Sequence, residues 1–142
     1  MGGLEDAILL AVQAHHGQKD KAGAPYILHP LRMMLRMQTD AERMAAVLHD
    51  VVEDTPWTLD GLRAEGFPED VLEAVDHLTQ REGESYEGST RRAAEHPIAR
   101  RVKIADLEDN MDVRRIAVVT EKDAERLTRY HRAWRELVSD AE

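Results

Sequence analysis

Apolar residues recur at helical spacing through almost the whole chain. In LEDAILLAVQAHH, Leu4, Ala7, Ile8, Ala11 and Val12 share one face. The polar stretch GQKDKAGAP interrupts the pattern, and HPLRMMLRM restarts it with Pro30 in the first turn. TDAERMAAVLHDVVED opens with Thr39 and Glu42 at the spacing of a capping box, and Met44, Val47, Leu48 and Val51 run down one side. Thr58 is placed to cap LDGLRAEG, which Gly66 ends. PEDVLEAVDHLT starts on Pro68 with acids that suit the helix dipole. Ser85 can cap a helix through Ala94, another starts at Pro97 in HPIARRVKIADLEDNM, and the last is roughly EKDAERLTRYHRAWRELV. No segment alternates with period two, and IAVVT at 116–120 is the one β-like run. The pattern predicts an all-α fold, an irregular bundle of about seven or eight helices.

Composition narrows the function. A chain of 142 residues, 42% hydrophobic and 33% charged, is expected to form one domain over 1–142. Aromatics make up 4%, with Phe67 the one Phe, so Leu, Val, Ala, Ile and Met must build the core. A net charge of −9 argues against a partner such as duplex nucleic acid, and an anionic substrate would need a local basic patch. The absence of cysteine excludes disulfides, Cys-based zinc sites and a cysteine nucleophile. The first residues lack the basic region and cleavage site of a signal peptide. No apolar run nears the ~20 residues that span a bilayer, so a cytoplasmic protein without membrane contact is expected. The stripe Leu127, Tyr130, Ala133, Trp134, Leu137 and Val138 suits core packing and a dimer seam equally, leaving the oligomeric state open.

The segment AAVLHDVVEDTP breaks the apolar rule. Read as one helix over 40–54, it places His49 with Glu53, and Asp50 with Asp54, four residues apart on shared faces. An imidazole beside a carboxylate suits a divalent transition metal, and acids one turn on suit handling of a water or its proton. The alternative, solvated acids at a helix end, is disfavoured because acids there oppose the dipole. Further donors lie at His15 or His16, and at Asp106, Asp109 and Asn110 near Lys103. A bundle could bring three such segments together.

AHHGQKDKAGAPYILHP, LHDVVEDT and VKIADLEDNM, in that order, carry the motifs AHxxQ with PYxxHP, HDxxED and KxADxxxN over residues 14–110. The chain thereby resembles the HD-domain phosphohydrolases, specifically the hydrolase domain of the RelA/SpoT proteins and the small alarmone hydrolases. The resemblance implies metal ligands at His15, His49, Asp50 and Asp106, with Mn2+ as the usual ion. It implies Glu53 and Asp54 as the catalytic acids and Asn110 as a nucleotide-pocket residue. Tyr26 and His29 fall in the scaffold beside the site. The implied reaction removes the 3′-pyrophosphate of guanosine tetra- or pentaphosphate, in a hydrolase with no accompanying synthetase domain.

The sequence departs from the family where guanosine is recognised. Asp20 stands in the loop Lys19-Asp20-Lys21 where an Arg is common, Asp6 where a guanine-stacking Arg is usual, and Val113 where a Thr often follows. Lys21 and Lys103 are the expected substrate-binding cations. The pairs Arg91-Arg92 and Arg100-Arg101 read as solvated helix faces. Two other readings follow: hydrolysis of another phosphorylated nucleotide or metabolite, NADPH-like compounds included, or a non-catalytic nucleotide-binding module.

Overall fold

The computed structural model describes residues 2–140. Its helices are α1 (Leu4–Ala14), α2 (Leu28–Leu35), α3 (Asp40–Leu48), α4 (Val51–Asp54), α5 (Leu59–Ala64), α6 (Glu69–Leu78), α7 (Tyr86–Ala93), α8 (Pro97–Asn110) and α9 (Glu121–Asp140). Among the described residues there is no strand. An isolated bridge between Lys19 and Pro25 closes the loop after α1, and a 3-10 turn, Val113–Arg115, follows α8. The all-α expectation holds. The run 116–120 forms neither strand nor helix, and Val118 and Val119 project into solvent.

The caps fall where the sequence places them. The Thr39 hydroxyl accepts from Glu42 N and the Glu42 carboxylate accepts from Thr39 N, which fixes the start of α3. Thr58 and Ser85 cap α5 and α7 in the same way. Pro97 opens α8 behind His96.

Helices α3 and α8 are the central elements. α3 packs against α1, α2, α6 and α8, and α8 against α2, α3, α6, α7 and α9. Five consecutive residues of α3, Met44 to Leu48, are buried, because neighbours cover it on every side. Ala45 and Ala46 in this stretch let those neighbours approach. α6 contributes Val71, Leu72, Ala74 and Val75 to the same core, each burial worth up to ~1.5–3 kcal/mol for the larger side chains. A second, smaller cluster joins Leu107 of α8 to Ala133 and Leu137 of α9, flanked by Tyr86, Tyr130 and Trp134. Tyr130, Ala133, Trp134 and Leu137 of the last helix's apolar stripe thus pack within the chain.

One difference matters for the site. The expected helix over 40–54 is interrupted. α3 stops at Leu48, His49 is its C-cap, and Asp50 takes φ −105° and ψ 2° before α4 begins. The cause is local. In a continuous helix the Ala46 carbonyl would accept from Asp50 N. Here it accepts from His49 Nδ1 at 2.8 Å and from His49 N at 3.4 Å. The shared-face argument for His49 with Glu53 is thus replaced by a kink that turns both adjacent side chains inward.

Candidate active site

Three helix ends and one helix middle meet beneath a cavity of about 470 Å3. His15 caps the end of α1, His49 and Asp50 form the α3–α4 kink, Asp106 lies within α8, and His29 projects from α2. The rings of His15, Tyr26, His29 and His49 follow one another at centroid distances of 4.8, 5.7 and 5.5 Å. His15, His29, His49 and Asp106 are buried and Asp50 is nearly so.

Hydrogen bonds separate the histidines by role. His15 Nδ1 donates to Gln18 Oε1 at 2.9 Å, and His49 Nδ1 to the Ala46 carbonyl at 2.8 Å. Each bond leaves Nε2 buried without a hydrogen-bond partner. His49 Nε2 does lie 3.1 Å from Asp50 Oδ2, but without hydrogen-bond geometry. A buried imidazole nitrogen with no partner, on a ring held by its other nitrogen, is how a metal-binding histidine is presented. The donors of His29, His49 and Asp50 cluster within 4.8 Å, so His29 competes as a ligand by proximity. Its Nδ1 meets Asp109 Oδ2 at 2.6 Å, which holds the ring, and its Nε2 meets Asp106 Oδ1 at 2.9 Å. Imidazole and carboxylate donors of this kind suit a divalent cation; among the described residues the donor groups that lie within 4.8 Å of one another are His29–His49–Asp50 and Asp50–Glu53–Asp54, with Asp106 beside them in the cavity lining.

Both carboxylates are held ionised against burial. Burial works to raise Asp50, but His49 and the Tyr26 hydroxyl, which donates to Asp50 Oδ2, keep it low. Asp106 is also opposed by burial and lies well below the usual range, because Lys103, His29 and His49 surround it. Lys103 Nζ is 3.1 Å from Asp106 Oδ2, and Asn110 Nδ2 donates to Oδ1 at 3.0 Å. Burial lowers His15; at His49 burial is outweighed by the charges of Asp50 and Asp106, which raise it to about 9, so its Nε2 carries a proton that a bound cation would have to displace.

Glu53 and Asp54 line the cavity beside this cluster. The Gln80 backbone N–H donates to Glu53 Oε1 at 2.8 Å, which orients that carboxylate. Partial burial, then the charges of Asp50 and Glu53, push Asp54 up to about 6. Asn110, Lys103 and Lys21 also line the cavity, Lys21 on its exposed rim.

Several features escape sequence reasoning. Arg115 and Arg126 line the cavity, with Tyr86 and Tyr130 from α7 and α9. Asp20, where the family favours Arg, braces its own loop by accepting from Ala22 N and Ala24 N at 2.9 Å, and pairs with Arg115 at 2.9 Å. The four arginines read as solvated faces stay away from the cavity. Arg92 and Arg100 differ from that reading: half-buried, Arg92 reaches the carbonyls of Asp76, His77 and Thr79 at the end of α6, and Arg100 that of Leu137 on α9. Asp6 corrects a larger expectation. It sits in the first turn of α1, about 13 Å along the helix from His15, and lines a separate depression with Trp57 and Phe67. In this fold position 6 is not a wall of the cavity.

The HD domain family model matches residues 7–135, and the chain belongs to that family. Several curated relatives carry the name guanosine-3′,5′-bis(diphosphate) 3′-pyrophosphohydrolase. That of Haemophilus influenzae is 42% identical over 76 residues, covering 51% of this chain and 11% of that protein. That of Aquifex aeolicus is 33% identical over 120 residues, covering 76% of this chain and 17% of that protein. The chain therefore spans less than a fifth of the length of these relatives. A solved structure described as a metazoan ortholog of SpoT that hydrolyzes ppGpp superposes with a TM-score of 0.74 at 22% identity, covering 94% of this chain and 84% of that one. That likeness establishes the fold.

Proposed function

We propose that this chain is a Mn2+-dependent phosphohydrolase that removes the 3′-pyrophosphate of guanosine tetra- or pentaphosphate, giving GDP or GTP and pyrophosphate. The observation that carries the reading is the buried, unpartnered Nε2 of His49, which stands with Asp50, Asp106 and His29 in the lining of a cavity of about 470 Å3. The relatives named for this reaction support the choice of substrate.

A divalent cation held by His15, His49, Asp50 and Asp106 would polarise phosphate oxygens and acidify water. The chain's own residues supply the rest. Glu53, fixed by the Gln80 N–H, orients the attacking water. Asp54, with its proton affinity raised to about 6, accepts a proton near neutral pH. Asn110 and Lys103 position the nucleotide while also holding Asp106. Lys19, Lys21 and Arg126 provide at the rim the local positive patch that a net charge of −9 requires for an anionic substrate.

The test is release of pyrophosphate from the tetraphosphate by Mn2+-loaded protein, with His49→Ala and Glu53→Ala as controls. Activity is expected, with loss of at least about a hundredfold in either variant. Metallated protein that leaves the tetraphosphate intact sinks the guanosine assignment, and a panel including NADPH then identifies the substrate.

A further inference from the structure

Glu53 is exposed, and among the described residues one hydrogen bond holds its carboxylate, from the Gln80 N–H at 2.8 Å. That N–H belongs to the same trans peptide unit as the Thr79 carbonyl, so the two groups point in opposite directions. Two arginines stand on the carbonyl side. Arg92 Nη2 donates to Thr79 O at 2.5 Å, and Arg81 Nη1 donates to it at 3.1 Å. Arg92 is half-buried, and its other donors serve the same connection. Its Nη1 reaches Asp76 O at 3.0 Å and His77 O at 3.2 Å, while Nε and Nη2 grip the Glu84 carboxylate at 2.9 and 2.8 Å. Gln80 Nε2 donates to Glu84 O at 2.9 Å, which closes the turn. Capping of α6 accounts for the bonds to Asp76 and His77. It leaves unexplained why two guanidinium groups meet on Thr79 O, where the backbone has left the helix at φ −88° and ψ 118°. A cation on a peptide carbonyl polarises the unit and strengthens its N–H as a donor.

We propose that Arg92, assisted by Arg81, is a positioning residue for Glu53. Its guanidinium grips the Thr79–Gln80 peptide by the carbonyl, which holds the N–H of that unit toward the Glu53 carboxylate and strengthens the bond between them. Neither arginine lines the cavity, so both act through the peptide and not on a substrate. The inference rests on the role given to Glu53 above, but its first readout needs neither metal nor substrate.

The full chain, free of metal and substrate, is compared by amide NMR. The Gln80 N–H, bonded to a carboxylate, is expected downfield in the wild type and is expected to move upfield in Glu53→Ala. Arg92→Met is expected to move it in the same direction, and Arg81→Met in that direction by less. Thr39→Ala, which destabilises α3 away from this turn, is expected to leave it in place. With Mn2+ and the tetraphosphate, Arg92→Met is expected to lower kcat about tenfold while KM changes less than about twofold. Its Mn2+ affinity, measured by calorimetry, is expected to match the wild type. Arg92→Lys, which keeps a charge for the Thr79 carbonyl, is expected to restore most of the resonance position and of kcat. If Arg92→Met does not fold, the resonance in Arg81→Met, a change at an exposed side chain, decides the matter. The proposal is overturned if Glu53→Ala or the folded arginine variants leave the Gln80 resonance at its wild-type position, if Thr39→Ala moves it as far, or if Arg92→Met keeps the wild-type kcat. Wild-type protein that leaves the tetraphosphate intact removes the proposed substrate, and the Gln80 resonance then decides this inference by itself.

Discussion

His15 and His49 are each anchored at one nitrogen, but by different partners. One ring is held by a side-chain amide and the other by a backbone carbonyl, and in both the bond is at Nδ1. The Gln18 amide is the replaceable partner. Gln18→Leu should weaken Mn2+ affinity about ten- to hundredfold, measured by calorimetry, because the His15 tautomer is no longer fixed. A variant binding Mn2+ as tightly as wild type would show that Gln18 plays no such role. The residues of this layer were the most legible in the sequence. His and Asp beside apolar positions signal a ligand set whatever the fold. Gln18 and Asp109 stood out in the sequence as a motif residue and a candidate donor, but their bonds to His15 and His29, like that of Gln80 to Glu53, were hidden, because no spacing rule marks them.

Element boundaries were legible where a side chain decides them locally. Thr39→Ala removes the capping bond to Glu42 N and should cost about 1 kcal/mol in denaturant unfolding. The kink at His49 was not legible, because it depends on one imidazole taking a carbonyl from the backbone ladder. A third feature, the link from the 79–85 connection to α7, gives a pH signature. Arg92 and the Arg81 N–H hold Glu84 down to about 2. Its folded value lies below the ordinary ~4.3, so the stabilisation is complete above that pH and lost as pH falls toward the folded value. Tm measured against pH for wild type and Glu84→Gln should differ by a constant amount above about pH 5 and converge near pH 2. Curves that stay equally separated in acid would contradict the pairing.

At the scale of the molecule, the proposed metal ligands stand on the main core, while α9, a wall of the cavity, is attached through the second cluster. The two should separate experimentally. Leu137→Ala should cost ~2–5 kcal/mol and speed amide exchange along α9. Mn2+ affinity should be retained, since none of the proposed ligands lies on α9. Simultaneous loss of metal binding would show that the clusters act as one unit.

The sequence by itself determined the helices, their caps, the all-α class and the residue types of the site, because these follow from periodicity, local hydrogen bonds and intrinsic side-chain chemistry. Tertiary structure alone decided which histidines keep a free nitrogen. It also brought Arg115, ninety-five residues away in sequence, to pair with Asp20, and placed Asp6 in a depression of its own at the start of α1. Those outcomes depend on which helix ends converge, and convergence is set by packing between segments distant in the chain.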